Sequence, residues 1–192
     1  KKSTRNTRGR IVSAAWKLFY EQGYEDTTVE EIIELSGTSK GSFYHYFDGK
    51  DALLSTLSSL FDEKYEELTG LLTPEMTAME QLLFLNRELF HMIEDSISLD
   101  LLARLYSTQL TTNGEKHLLD HNRIYYKLLR KIIAKGQAEG QLSSRSNVNE
   151  MVKLYALCER ALLYDWCLCA GEYALTEYSA KVLPGFLSSF LP

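Results

Sequence analysis

Between Ser39 and Phe47 the chain reads Ser-Lys-Gly-Ser-Phe-Tyr-His-Tyr-Phe. On a helix, Phe43 and Phe47 stand four apart and turn to one side. The remaining positions are Lys40, Gly41, Ser42, Tyr44, His45 and Tyr46. They supply a cation, a residue without a side chain, a hydroxyl, two phenols and an imidazole, and no carboxylate. A helix exposed only for solubility would mix Glu with its Lys. A helix that lies in a groove between phosphates needs hydrogen-bond donors, little bulk and no negative charge. This is chemistry for duplex DNA, although an ordinary helical hairpin with a polar outer face would carry a similar pattern.

The elements around this stretch can position it. A helix is expected over about Thr28 to Ser36, with Thr27 or Thr28 as its cap and Glu30 and Glu31 in the first turn, where the helix dipole favours anions. Val29, Ile32 and Ile33, extended by Leu35, form its apolar face. Gly37 provides the positive φ that a sharp turn needs. A second helix over about Ser39 to Phe47, capped by Ser39 or Thr38, completes a helix-turn-helix in which it is the recognition helix. A supporting helix over about Thr7 to Gln22 carries the stripe Ile11, Ala14, Ala15, Leu18 and Phe19. Gly23 ends it and Tyr24 fills the turn. Residues 1–6 are expected as a flexible basic arm.

Three runs carry a family resemblance: Thr27-Thr28-Val29, then Gly37-Thr38-Ser39-Lys40-Gly41, then Phe43-Tyr44-His45-Tyr46-Phe47 with Lys50 beyond. Together they resemble the DNA-binding head of TetR-type transcriptional regulators. Thr38 stands where that family usually has Val, and Gly49 where Ser or Asn is common. The resemblance is close over about the first fifty residues and extends beyond them only in layout. It implies an all-α, nine-helix architecture, with a three-helix DNA-binding head at 1–48 and a six-helix effector-binding and dimerisation body at 49–192. The DNA-binding set expected on this basis is Lys40, Gly41, Ser42 and Tyr44 toward bases or the groove wall, beside the cap Ser39. Thr28, His45, Tyr46 and Lys50 are expected on phosphates, with Arg5 and Arg8 from the arm.

Composition agrees with a helical regulator. The chain has 192 residues, 45% of them hydrophobic, with 3 Pro and 11 Gly, which points to all-α structure with a real core. The net charge is −5, so no global attraction to nucleic acid follows. The bases are instead concentrated: Lys1, Lys2, Arg5, Arg8 and Arg10 fall in the first ten residues with no acid among them, while acids prevail after residue 51. No apolar run approaches the ~20 residues of a membrane helix, and no signal-peptide core opens the chain. A cytoplasmic location without membrane association is expected.

Six further helices are expected beyond the head. The fourth, opening at Gly49 or Lys50 with Asp48 as cap and Asp51 reaching back, runs about five turns to Leu68 and links head to body. The others cover about Pro74 to Glu94 (Thr73 as cap), Ser98 to Thr108, Glu115 to Glu139, Asn147 to Ala170 with an Asn147/Glu150 capping box, and Leu175 to Phe190 with a kink at Pro184. The last two are apolar on more than one face, and a second stripe calls for burial against something. A second copy of the chain is the natural partner, as the resemblance also implies. Leu163, Trp166, Cys167, Tyr178, Val182 and Phe186 are the expected interface.

The resemblance further implies an effector cavity, for which Tyr65, Tyr106, Tyr125 and Arg160 are the expected lining. Cys158, Cys167 and Cys169 read as small buried hydrophobes. His117 and His121 are spaced i, i+4 but lack a nearby Cys or a dense carboxylate cluster, so neither a metal nor any other cofactor is expected. No phosphate loop or nucleophile elbow occurs, and the chain is not expected to be an enzyme. The reading is a ligand-responsive repressor that binds a palindromic operator as a homodimer and is released by an unknown small-molecule effector. Its rival is a small-molecule-binding helical bundle or enzyme whose helix-turn-helix is only structural.

Overall fold

A computed structural model describes residues 2–111 and 116–192, with side chains from Thr7 onward. All regular structure among the described residues is helical: α1 Lys2–Gln22, α2 Val29–Ser36, α3 Lys40–Tyr46, α4 Lys50–Leu54, α5 Leu57–Thr69, α6 Ala78–Ser96, α7 Leu99–Thr111, α8 Ile124–Ala138, α9 Val148–Leu168 and α10 Leu175–Leu187, with 3₁₀ turns at His117–Leu119 and Ser188–Phe190. The expected nine-helix layout is present once α4 and α5 are read as one interrupted segment. Of a loop expected over Thr111 to Gly114, Thr111 instead ends α7 and 112–114 lie outside the described residues. The chain divides into two compact units, Lys1–Ser59 with Asp100–His117, and Leu60–Leu99 with Leu118–Pro192.

In the first unit, Ile11, Ala15 and Phe19 of α1, Ile32 of α2 and Phe43 of α3 are all buried, as the helical periodicity predicts. Leu35 is instead 46% exposed, so the apolar face of α2 is narrower than expected. The helix α1 already runs from Lys2, where a flexible arm was expected.

The fourth helix is broken at Ser55 and Thr56, and the hydroxyls explain it. Ser55, Thr56 and Ser58 donate to the carbonyls of Ala52, Leu53 and Ser55, each three residues back. Such local bonds compete with the helical ladder. Thr56 also accepts from the Trp16 indole at 2.8 Å, which anchors the break against α1. Asp48 does not cap α4. Gly49 is the N-cap, with no side-chain bond, and Asp51 accepts from the Tyr24 hydroxyl instead of reaching back.

In the second unit, α6 packs against α8 and α10, and α9 against α8 and α10. The helix α6 starts at Ala78, four residues later than the Thr73-Pro74 signal suggests. Thr77 and Glu80 close a full capping box there, satisfying two backbone donors at once. The expected long seventh helix is a 3₁₀ turn followed by α8, which begins only at Ile124. Gly136 explains the close approach of α8 to α6: an added Cβ would lie 2.6 Å from Ala78 Cβ and 2.8 Å from Leu142 Cδ1. Asn147 caps α9 by accepting from Glu150 N at 3.0 Å. The start of α10 has no cap of its own. Glu94 of α6 supplies one, accepting from Leu175 N at 2.7 Å and from the Thr176 hydroxyl at 2.8 Å.

Candidate nucleic-acid interface

The recognition helix α3 is held by a turn that one long side chain, Arg10, secures. Ser39 caps it, accepting from Ser42 N at 3.1 Å, and its hydroxyl lies 2.9 Å from that of Ser42. Gly37 takes φ +60°, and Thr38 N donates to Ile33 O at 3.2 Å, closing the end of α2 with a six-to-one bond. Arg10 reaches across from α1 to donate to Ser36 O, and to Gly37 O at 2.8 Å. Its guanidinium occupies the place where a Cβ on Gly37 would sit, 2.7 Å away. Phe43 and Phe47 fill the space beneath α3, with ring centroids 5.9 Å apart.

The opposite face of α3 is open. Lys40, Gly41 and His45 are exposed, Tyr44 is 45% exposed, and Ser42 and Tyr46 are half-buried. Tyr44 leans edge-on to Phe43, and His45 stands edge-on to Tyr46. Lys40 lies 3.6 Å from Glu30 of α2, both well exposed, a pairing that solvent screens and that a phosphate could replace. Arg8 is exposed on α1, its guanidinium 5.4 Å from the Phe47 ring. The Arg5 side chain lies outside the described residues.

Thr28 and Lys50 are more committed to the fold than their types suggest. Thr28 forms a capping box with Glu31, whose carboxyl is held below its ordinary range by the Thr28 backbone N–H and hydroxyl. Lys50 Nζ donates to the carbonyls of Tyr24, Glu25 and Thr27 at 2.7, 3.2 and 2.9 Å, and sits 4.4 Å from the Tyr24 ring centroid. Arg104 of α7 approaches the same ring at 4.9 Å and pairs with Glu25. Burial, then the bond to Asp51, pushes the Tyr24 phenol well above its ordinary range. The α1–α2 loop is thus gripped from two sides. Neither the Arg10 nor the Lys50 grip is legible in local sequence, because each joins residues more than twenty apart.

Of the expected effector residues, Tyr106 lies in the first unit and Tyr65, Tyr125 and Arg160 in the second. Those three belong to one buried cluster centred on Glu159, which sequence reading passed over. The Tyr65 and Tyr125 rings meet at a tilt, with centroids 5.0 Å apart. Tyr125 donates to Glu159 at 2.6 Å, Asn86 donates to it at 2.9 Å, and Arg160 reaches the Tyr126 hydroxyl at 3.2 Å. Glu159 is 4% exposed, and burial raises its carboxyl above the usual range despite these bonds. Burial likewise drives the Tyr125 and Tyr155 phenols well up.

Of the expected interface residues, Leu163 and Trp166 are buried within the chain, and the Trp166 indole donates to Tyr173 O at 2.9 Å. Tyr178 is exposed, and Cys167, Val182 and Phe186 are half-buried. The second apolar stripe of α9 is Leu157, Tyr164 and Leu168, at 52%, 47% and 66% exposure. Burial pushes the Cys158 and Cys167 thiols up to about 11, away from thiolate chemistry. Among the described residues no group of three His, Cys, Asp or Glu is placed to hold a metal, and no helix is long and apolar enough to cross a membrane.

Residues 11–57 match the family model described as bacterial regulatory proteins, tetR family. The HTH-type transcriptional regulator TtgR of Pseudomonas putida is 34% identical over 68 residues, 35% of this chain and 32% of that protein. This chain aligns with between 22% and 33% of the length of the first six curated relatives it matches. The fatty acid metabolism regulator protein of Bacillus subtilis aligns over 178 residues at 23% identity, 91% of this chain and 90% of that protein. Among solved structures, FadR of Thermus thermophilus, a TetR-family transcriptional repressor in complex with lauroyl-CoA, matches with a TM-score of 0.77 at 26% identity, over 96% of this chain and 95% of that one.

Proposed function

We propose that this chain, whose residues 11–57 match the family model of bacterial tetR-type regulatory proteins, is a homodimeric, ligand-responsive repressor of a palindromic operator. The observation that carries this reading is the exposed face of α3, which offers donors and no carboxylate above a buried Phe43–Phe47 base. Lys40, Ser42, Tyr44 and Gly41 meet the bases or groove wall. Arg8, His45 and Tyr46 take phosphates, and Arg5 extends that contact from the start of α1. Two copies related by a two-fold axis place their recognition helices ~34 Å, or a multiple of it, apart along the duplex. Residues 1–48 form the reading head, and 49–192 form the body that holds the effector and the second copy.

The effector we assign is a fatty acyl-CoA. The FadR of Thermus thermophilus, alike over nearly the whole chain, was crystallised with lauroyl-CoA. Its binding alters the separation of the two heads, and a coupling of ~1–3 kcal/mol lowers operator affinity about 5–150-fold.

The test is selection of bound duplexes from a random library, followed by titration of lauroyl-CoA against the selected complex. The expected outcome is an inverted repeat whose binding weakens within that range. Enriched sequences without two-fold symmetry would reject the dimeric operator, and unchanged affinity at saturating lauroyl-CoA would reject the effector.

A further inference from the structure

The second unit carries a cavity of about 620 Å³ between α6 and α10, within the ~300–1,000 Å³ of small-molecule sites. Leu83, Phe84, Ala180 and Pro184 give it apolar walls. Its polar floor is Asn86 and Ser179, exposed by only 3% and 1%. It is distinct from the Tyr65–Tyr125 cluster, yet one hydrogen-bonded chain joins the two. Ser179 Oγ donates to Asn86 Oδ1 at 2.6 Å, and Asn86 Nδ2 donates to Glu159 at 2.9 Å.

The direction of that chain decides what the floor can bind. Glu159 accepts from both Tyr125 and Asn86, so Asn86 turns its NH₂ inward and its oxygen outward. Ser179 must then spend its proton on that oxygen, leaving its own lone pairs at the cavity end. The wall adds another acceptor: Pro184 brings no N–H to the Ala180 carbonyl four residues back. At the mouth stand Glu75 and Glu80. Their carboxyls are held below the ordinary range by the Thr73 hydroxyl and the Thr77 backbone N–H respectively, so both are anionic at neutral pH. The one cation on the lining, Arg87, is already bonded to Glu88 at 2.9 Å and lies over the Phe84 ring.

We propose that the α6–α10 cavity is a ligand site of its own, separate from the Tyr65–Tyr125–Arg160 cluster expected to line the effector site, and that it takes an amphipathic primary amine. The ammonium donates to Ser179 Oγ and the Ala180 carbonyl, and the hydrocarbon lies along Leu83, Phe84 and Pro184. Acids are excluded by the acceptor floor and the two carboxylates at the mouth.

Calorimetric titration of the full chain with octylamine, octan-1-ol and octanoate separates head-group from chain. Octylamine should bind one per chain, about tenfold or more tighter than octan-1-ol, and octanoate should give no binding. Ala180→Phe, an exposed position on the wall, should abolish octylamine binding at an unchanged melting temperature. Ser179→Ala should weaken it about tenfold. Octanoate binding as tightly as octylamine, or octylamine binding undiminished in Ala180→Phe, would overturn the site. Lauroyl-CoA release of the operator, measured on Ala180→Phe, is a separate arm. Its failure in variant and parent alike rejects the effector reading and leaves the amine site standing.

Discussion

Two lysines of the head differ in what holds them, and this sets different roles. Among the described residues Lys40 pairs with Glu30 at 3.6 Å, a contact that solvent screens. Lys50 has three carbonyl acceptors and an aromatic face. Removing Lys40 leaves the fold nearly untouched, because exposed ion pairs contribute about 0–1 kcal/mol. Removing Lys50 leaves three carbonyls of the α1–α2 loop without their donor, and one hydrogen bond to a charged group alone is worth ~1.5–3 kcal/mol. Lys40→Ala should melt as the parent does, bind operator and random DNA more weakly, and flatten the salt dependence by about one unit of slope. Lys50→Ala should lose ~2–3 kcal/mol of stability in a denaturant titration. Identical melting of the two variants would remove the distinction drawn between them. Lysine's type and position invite a phosphate contact in both cases; only the path of the loop carbonyls sets them apart.

At the scale of elements, the turn between α2 and α3 is the part most sensitive to a single change. Gly37 combines φ +60° with a guanidinium 2.7 Å from where a Cβ would stand. A β-branched residue meets both obstacles: the left-handed conformation costs ~1–2 kcal/mol, and Arg10 must release its carbonyls. Gly37→Val should therefore destabilise the chain by ~2–3 kcal/mol and reduce DNA binding further, while Gly37→Asn, tolerant of that conformation, should retain more of both. A Val variant that melts and binds as the parent does would refute this account of the turn. Thr28 with Glu31, Gly37 and Ser39 are signals whose partners lie within a few residues, so the head was legible before any coordinates. The fourth helix was not. Its continuous apolar stripe hides the three hydroxyls at Ser55, Thr56 and Ser58 that interrupt it, and the Trp16 indole that uses the break comes from far away in the chain. The start of α6 was ambiguous for another reason, since Thr73-Pro74 and Thr77…Glu80 are both valid helix openings. The second satisfies two backbone donors and prevails.

For the whole molecule, exposure indicates which face the proposed second copy would cover. The helix α9 carries two apolar stripes, as periodicity indicates. Tyr155, Leu162, Leu163 and Trp166 serve the chain's own core, whereas Leu157, Tyr164 and Leu168, spaced seven and four apart, face solvent together with Tyr178 of α10. Contiguous apolar exposure of this kind is normally covered. If the proposed dimer forms through this face, the parent chain should sediment as a dimer and Leu168→Glu combined with Tyr164→Glu as a folded monomer that no longer binds an inverted repeat cooperatively. A variant that remains dimeric would move the interface elsewhere.

Sequence alone determined the helical class, the helix-turn-helix and the likeness of residues 11–57 to tetR-type regulators, because these depend on residue types at short, regular spacings: an i, i+4 pair of Phe, a glycine at a positive φ, a cap with its partner three residues on. Tertiary structure decided which of two stripes is core, where Lys50 and Arg10 spend their donors, and that Glu159 of α9 meets Asn86 and, through it, Ser179 in a buried chain. Those outcomes depend on which distant segments come within about 3 Å of one another, and periodicity along a single helix carries no record of that. The acceptor-lined cavity is the clearest case. The direction of its hydrogen bonds is set by a carboxylate seventy-three residues from the amide that reads it.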